Sequence, residues 1–354
     1  MDNQIVCKFC CVDRSAEEIV FNEQGVCNFC IQAQKALKEI ELEKPNLSKW
    51  IERIKKDGKN KKYSCLMGLS GGCDSSTTLH YAIKMGLKPL CFSFNNKWNI
   101  SESDNNIKNL VEKLGVDHIE YTIDDAKYRE LQNAFIKSGV PNIEIPTDHI
   151  ILATSLELAK KYKIRWILSG GNVSEESVMP PSFGYQSRDL VHIKDIYKKF
   201  TGKKLTGLPT CSLLQWNIYK WWYRIKFFYL LDYLDYKSKE AKKMLADLYD
   251  WQDYGLKHEE NYFTKWFQNF YLYEKFGFDK RKAHFSSLIN GGQMTRSEAM
   301  QLLETAPVYP KLGIEDKVMK YPKHSHYDYK TDEKLYNTIC KVIRFIKRCQ
   351  LFGK

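Results

Sequence analysis

Two groups of residues have the types and spacing to do chemistry. The first is Ser70-Gly71-Gly72-Cys73-Asp74-Ser75-Ser76, between an apolar run at 63–69 and a helical pattern over 77–85 that Gly86 stops. Glycines let a backbone turn sharply and approach an oxyanion with no Cβ in the way. The first N–H groups of the following helix would point at that anion, and the helix dipole favours its charge. Ser70, Ser75 and Ser76 add hydroxyl donors. Asp74 makes sense beside phosphates mainly as a ligand of Mg²⁺. The plain alternative is a turn and N-cap that bind nothing, but strand, loop and helix context all favour the anion. The second group is Cys7-x-x-Cys10, sixteen residues, then Cys27-x-x-Cys30. Two such knuckles complete a tetrahedral sulfur site suited to structural Zn²⁺. The usual cysteine spacings of iron–sulfur clusters differ from this one. A closed four-thiolate site leaves no open position, so its role is structure, and Cys11 is a spare facing away.

The pattern S-G-G-x-D-S after an apolar strand resembles the PP-loop of the ATP pyrophosphatase superfamily. Those enzymes cleave ATP between its α and β phosphates and adenylate a substrate oxygen. Neither G-x-x-x-x-G-K-[ST] nor G-x-G-x-x-G describes this turn. The elements around it alternate: strands at 88–94, 117–123 and 164–168, helices at 103–114 and 149–163. Such alternation predicts an α/β fold, a parallel sheet with helices on both faces. Ligands of these sheets bind outside the carboxyl ends of the strands. Three segments should meet there: 70–76, 93–96 and 169–172. Phe92, Ser93 and Phe94 are expected to flank an adenine, backbone groups reading its edge. Ser169 and Gly170 open a second glycine turn that would approach the ribose or α-phosphate. Thr147 and Asp148 read as caps of the next helix, and His149 as structural.

The 354 residues suffice for two domains and an appendage: a zinc knuckle with linker helices (1–58), the ATP-binding α/β domain (59–210) and a mainly helical region (211–354). No run of eighteen apolar residues predicts a membrane span, and the first ten residues lack the features of a signal peptide, so a cytoplasmic location is expected. The net charge of +12 favours an anionic partner, although the lysines are spread along the chain. Eleven cysteines, four of them in one pattern, are not a disulfide framework. Residues 173–210 read as a lid or binding loop, where Glu175 or Glu176 could hold Mg²⁺ or simply face solvent. The aromatic run 211–236 reads as one or two long helices packed on the sheet domain, in preference to a membrane-surface or docking helix. Residues 239–275 look helical. Lys257, His258, Lys275, Lys280, Arg281, Lys282, His284 and Arg296 form a basic concentration that could neutralise pyrophosphate or grip an anionic substrate; a solvated basic face is the plainer reading. Thr295-x-x-Glu298 is a capping box opening a helix to Leu303, and a last helix is expected over 332–351.

In order, these pieces resemble the N-acetyl sugar amidotransferase family, which makes acetamidino sugars for bacterial surface glycans. The resemblance rests on the paired C-x-x-C, SGGCDSS, ILSGGN, LQWNIYKWWYRIK, GLKHEENYFTKWFQ and KFGFDKRKAHFSSLINGGQMTRSEA. It implies that ATP adenylates the amide oxygen of an N-acetyl group on a sugar or sugar nucleotide. Ammonia then displaces AMP. A separate glutaminase-type partner supplies the ammonia in the family, and this sequence shows no glutaminase of its own. Asp74, Lys257 and Arg281 are then the expected catalytic residues, and His258, Lys282, His284 and Arg296 the expected substrate ligands. A tRNA-thiolating enzyme also pairs a zinc knuckle with a PP-loop, but the cysteines outside the quartet stand alone, so nucleic acid is not the expected partner. A non-catalytic nucleotide-binding scaffold fits less well with an intact Asp74.

Overall fold

The computed structural model describes residues 5–336 and 338. Two helices, α1 (Asn28–Glu43) and α2 (Leu47–Asp57), follow the cysteine-bearing N-terminal segment. Strand and helix then alternate through β1 (Cys65–Gly68), α3 (Cys73–Lys84), β2 (Pro89–Asn95), α4 (Ser101–Leu114), β3 (Asp117–Thr122), α5 (Asp125–Ser138), α6 (Ile145–Lys161) and β4 (Trp166–Ser169). Next come the short α7 (Val173–Glu176), α8 (Leu190–Thr201), α9 (Leu213–Trp221), β5 (Lys226–Tyr229) and α10 (Ser238–Tyr249). The C-terminal part holds α11 (Tyr262–Trp266), a π-helix over Phe267–Phe276, α12 (Lys280–Asn290), α13 (Arg296–Leu303) and α14 (Glu315–Lys320).

All five strands are parallel, in the order β3-β2-β1-β4-β5. Side chains alternate across a strand. One face therefore presents Met67, Leu69, Cys91 and Leu168 to Ile54 of α2, Leu79 of α3, Leu110 of α4 and Leu245 of α10. The other presents Leu66, Leu90, Phe92 and Ile167 to Ala153, Leu156 and Ala159 of α6. Burial on both faces explains why the strands read as unbroken apolar runs. A separate core joins the cysteine segment to α5, α8, α11 and the π-helix through Phe29, Tyr128, Phe135, Ile196, Trp266 and Tyr271. The chain winds outward from β1 through β2 to β3, then returns to β4 on the other side. Such a reversal opens a crevice at the carboxyl ends of β1 and β4.

Several expectations need correction. Residues 190–201 form α8, not loop: Asp189 caps it by accepting from the His192 N–H, and Gly202 ends it in the left-handed region (φ 72°). The aromatic run is one short helix, then strand β5. Arg224 at φ 57° ends the helical path, and Lys226–Tyr229 adds the fifth strand beside β4. The sheet thus continues beyond residue 210. Thr147 and Asp148 lie inside the first turn of α6, which starts at Ile145 with Pro146 beside it, the place a helix tolerates proline. The helical stretch expected over 239–275 is interrupted by a loop at 250–261. The helix expected over 332–351 falls mostly outside the described residues. Among those described, no helix is long and apolar enough to cross a membrane.

Candidate functional site

The Ser-Gly-Gly turn leaves β1 and enters α3 at the crevice. Gly71 has φ 75°, and a Cβ there would lie 2.2 Å from the Ser103 carbonyl oxygen of α4, so only glycine fits. Its own carbonyl accepts from Asn106 Nδ2 (3.1 Å) and Trp251 Nε1 (3.0 Å). The serines shape the loop: Ser70 Oγ accepts from the Gly72 N–H (3.2 Å), Ser75 Oγ from the Ser70 N–H (3.3 Å), and Ser76 Oγ donates to the Gly72 carbonyl (2.7 Å). Ser70 is exposed and Ser76 fully buried, so Ser70 is the hydroxyl open to a ligand.

The second glycine turn packs directly on the first. A Cβ on Gly170 would sit 3.0 Å from the Ser75 nitrogen, and the Gly171 N–H donates to Ser169 Oγ (3.2 Å). Segments 70–76 and 169–172 therefore converge as expected. Phe92 does not fit its expected part. Its ring is buried against α6 and its carbonyl already accepts from the Leu69 N–H (2.8 Å). Ser93 Oγ pairs with His118 Nε2 (3.0 Å), and Phe94 stacks on Tyr121 at 6.1 Å.

The charges collect where the two turns meet. Lys257 Nζ lies 2.7 Å from Asp74, 2.8 Å from Glu176 and 3.1 Å from Glu175. Asp74 comes from the first turn of α3. Glu175 and Glu176 come from α7, which Asn172 caps by accepting from the Glu175 N–H (3.0 Å). The 250–261 loop delivers the lysine. Burial opposes the charge of Lys257, but Asp74, Glu176 and Glu175 outweigh it and hold its pKa above the usual lysine range. Burial, then the neighbouring Asp74, pushes Glu175 upward. Three carboxylates face one ammonium, and Glu175 Oε1 is buried without a partner. Hard oxygen donors left short of cations are what Mg²⁺ takes. The Tyr236 hydroxyl also donates to Asp74, and a Cβ on Gly72 would come within 2.9 Å of Tyr254 Oη. Sequence reasoning found the carboxylates and the lysine but missed both tyrosines. Their only signal was the general density of tyrosine.

Helix α12 divides the basic residues that the sequence grouped together. At 3.6 residues per turn, positions two apart point in nearly opposite directions. Lys280 and His284 line the crevice with His258 and Lys257. Burial lowers the pKa of His258 to about 3, of His284 to about 4 and of Lys280 to about 8. Lys282 points the other way and pairs with Asp13 at 2.5 Å. Arg296 donates to the carbonyls of Cys7 (3.2 Å) and Cys10 (3.1 Å). Arg281 borders the crevice, but its guanidinium is held by Asp279 (2.7 and 3.0 Å) and by the Leu302 carbonyl (3.3 Å). Lys282 and Arg296 are thus fasteners of the N-terminal knuckle, and Arg281 locks its own helix start. Lys280, which the sequence reading put in the basic concentration but not among the expected catalytic residues or substrate ligands, lines the crevice.

Cys7, Cys10, Cys27 and Cys30 are all buried, with sulfurs within 4.8 Å of one another, and Cys10 Sγ lies 3.7 Å from Cys27 Sγ. Thiolates about 2.3 Å from one tetrahedral ion would be about 3.8 Å apart, so the quartet fits zinc. It is the one such group among the described residues. Backbone N–H groups of Phe9, Cys10 and Cys27 donate to Cys7 Sγ, and Asn290 of α12 donates to Cys30 Sγ (3.4 Å). Cys11 stands outside, bonded to Ser286.

Two stretches match family models. Residues 64–183 match the queuosine biosynthesis protein QueC, and residues 260–343 match the C-terminal domain of LPS biosynthesis protein WbpG-like. An uncharacterized protein of Methanocaldococcus jannaschii is 25% identical over 308 residues, 85% of this chain and 94% of its own. Among solved structures, NMN synthetase from Francisella tularensis aligns with 20% identity and a TM-score of 0.30, over 39% of this chain and 56% of that one. NH3-dependent NAD synthetase from Campylobacter jejuni aligns with 17% identity and a TM-score of 0.29, over 37% and 58%. The chain thus spans little more than half the length of either synthetase. With its strand–SGG–helix turn at the reversal of a parallel sheet, this protein is a member of the PP-loop ATP pyrophosphatase superfamily. Within it, the chain is related to the WbpG-like proteins.

Proposed function

We propose that the protein is an ATP-dependent, AMP-forming amidotransferase that converts the N-acetyl group of a bacterial sugar or sugar nucleotide into an acetamidino group. The observation that carries this reading is the meeting of Asp74, Glu175, Glu176 and Lys257 at the mouth of the Ser-Gly-Gly turn. The WbpG-like C-terminal stretch supports the sugar part.

The amide oxygen attacks the α-phosphorus of ATP, a new P–O bond forms, and the bond to pyrophosphate breaks. Ammonia then adds to the activated carbon. It gives up a proton as the C–O bond breaks, and AMP leaves with the oxygen. Splitting one hard displacement into two replaces a poor leaving group by a good one. The chain's part is to orient and to balance charge. The first N–H groups of α3 and the Ser70 hydroxyl receive phosphate oxygens. Mg²⁺, held by Asp74 with Glu175 or Glu176, would supply further neutralisation of phosphate charge. Lys257, fixed among the three carboxylates, gives a positive charge to the departing pyrophosphate. His258 and His284, held neutral at pH 7 by burial, add uncharged hydrogen-bonding groups to the wall of the crevice, and the proton leaves the adding nitrogen to solvent or a second ammonia. A glutaminase partner, or free ammonium, supplies the nitrogen.

The test is incubation with ATP, Mg²⁺, ammonium and N-acetylated sugar nucleotides. Expected products are AMP, pyrophosphate and a sugar lighter by about one dalton, because NH replaces O. Release of ADP, or an unchanged sugar mass, overturns the reading.

A further inference from the structure

Beyond His258 and Lys280 the crevice opens into a cavity of about 640 Å³. Small-molecule sites commonly enclose about 300–1,000 Å³. Its polar wall is built from Glu144 at the N-cap of α6, Asp148 in the first turn of that helix, Gln186, Gln268 of the π-helix and Lys280 of α12. Phe183 and Phe267 give it apolar surface. Met179, His258, Gln268 and Lys280 also border the smaller space that reaches Lys257, Glu175 and Glu176. The cavity therefore adjoins the space bordered by Lys257, Glu175 and Glu176, the groups that meet Asp74. One wall is a π-helix, a rare backbone form that is frequent at functional sites.

The donor set is specific. Acceptor carboxylates and two carboxamides stand beside aromatic faces, which is the chemistry that reads a polyhydroxylated ring: hydroxyls donate to carboxylates, and C–H faces lie on the rings. Protein surrounds Asp148 although solvent reaches it through the cavity, and this enclosure raises its pKa to about 6; burial raises Glu144 to about 8. The Thr264 hydroxyl is the protein partner of Glu144, donating to it at 2.9 Å. Glu333 adds a third carboxylate to the wall, against the single Lys280. A diphosphate would meet net like charge here.

We propose that this cavity is the acceptor subsite and that it holds the saccharide ring itself. Glu144 and Asp148 take the ring hydroxyls, the acetamido end points past Lys280 toward Asp74, and any nucleotide carrier stays outside. This deepens the amidotransferase reading and rests on it.

The experiment uses saturation-transfer NMR from the full-length protein to the acetyl methyl of five probes: N-acetylglucosamine, N-acetylgalactosamine, their UDP derivatives and N-acetylneuraminic acid. At least one probe is expected to receive saturation. At pH 9, above the pKa of about 8 at which Glu144 ionises, Glu144→Gln and Asp148→Asn are each expected to weaken it about tenfold, the worth of a hydrogen bond to a charged group. Free and UDP-linked forms of one sugar should lose affinity by the same factor. Gly184 lines the same cavity with extended backbone (φ −159°), and a Cβ there meets only Asn142 Nδ2 at 3.8 Å, so Gly184→Trp should block probes without straining the chain. Thermal protection by MgATP reports the folded state of each variant. No contact with any probe, or contact that survives all three substitutions in variants still protected by MgATP, overturns the proposal. A loss confined to UDP-linked probes puts the carrier in the cavity and overturns the ring assignment. If ring binding tracks Glu144 and Asp148 but no AMP forms with ammonium, the reaction falls and the subsite stands. If AMP and an acetamidino product form undisturbed by the cavity variants, the reaction stands and the subsite falls.

Discussion

The two sides of α12 make opposite use of similar residues. On one side Lys282, Ser286 and the terminal Asn290 are spent on the knuckle: Lys282 on Asp13, Ser286 on Cys11, Asn290 on Cys30. Lys282, Ser286 and the Asn290 amide nitrogen find partners there, although Asn290 Oδ1 does not, and the four sulfurs close around a space that suits one ion. On the other side Lys280 and His284 look into a crevice where three carboxylates share one lysine and a buried oxygen goes unpaired. The difference teaches that like charges gathered beside an anion-binding turn mark chemistry, while side chains committed to fastening one segment to another mark structure.

The largest expected effect is on the crevice side. Asp74→Ala should cut AMP release by roughly 10³-fold or more, as loss of a principal charge-stabilising group does, while circular dichroism stays unchanged. Its counterpart is Cys27→Ser, which should lower unfolding free energy by on the order of 4 kcal/mol, read by urea denaturation, because metal binding and folding are coupled. If the first changed only stability, or the second only rate, the contrast would fail. Next is Lys257→Met. It leaves three carboxylates facing each other, so the metal-free protein should lose about 3 kcal/mol, and added Mg²⁺ should return most of it. No recovery with Mg²⁺ would remove that ion from the site. Arg296→Met sharpens the other side. Losing its bonds to Cys7 and Cys10 should cost about 1–2 kcal/mol with kcat unaltered. The smallest effect concerns pH. Glu144 has a folded pKa of about 8, above its ordinary 4.5. The folded state holds that proton more tightly, so its stabilising contribution is complete below about pH 4.5 and is lost as pH rises through 8. Glu144→Gln should therefore flatten the decline in urea midpoint between pH 5 and 8, and an unchanged slope would assign the decline to other groups.

What the sequence disclosed was local. The Ser-Gly-Gly turn with Asp74 and each half of the cysteine quartet lie within a few consecutive residues, so their chemistry shows in their spacing. The parallel sheet followed from runs such as Leu66 and Met67 or Leu90 and Cys91, apolar on both faces. What stayed hidden depended on relative placement. The angular phase of α12 against its neighbours decides that Lys280 faces the crevice while Lys282 faces the knuckle, and no spacing in the chain encodes that. Strand β5 was concealed because its four residues sit in an aromatic run that also suits a helix, and only Arg224 in the left-handed region breaks the period. Phe92 read as a ligand-facing residue because it lies toward the end of β2, near the crevice. One-residue alternation turns its ring into the core instead.

Because α12 is fastened along one side to the cysteine segment, the knuckle acts as a strut for groups it never touches. A protein stripped of its ion by a chelator should keep a normal Ser-Gly-Gly turn, yet lose the backing that aims Lys280 and His284. Turnover would then decline with occupancy of the four-thiolate site, so the supply of its ion would set how much of the protein is fit to work.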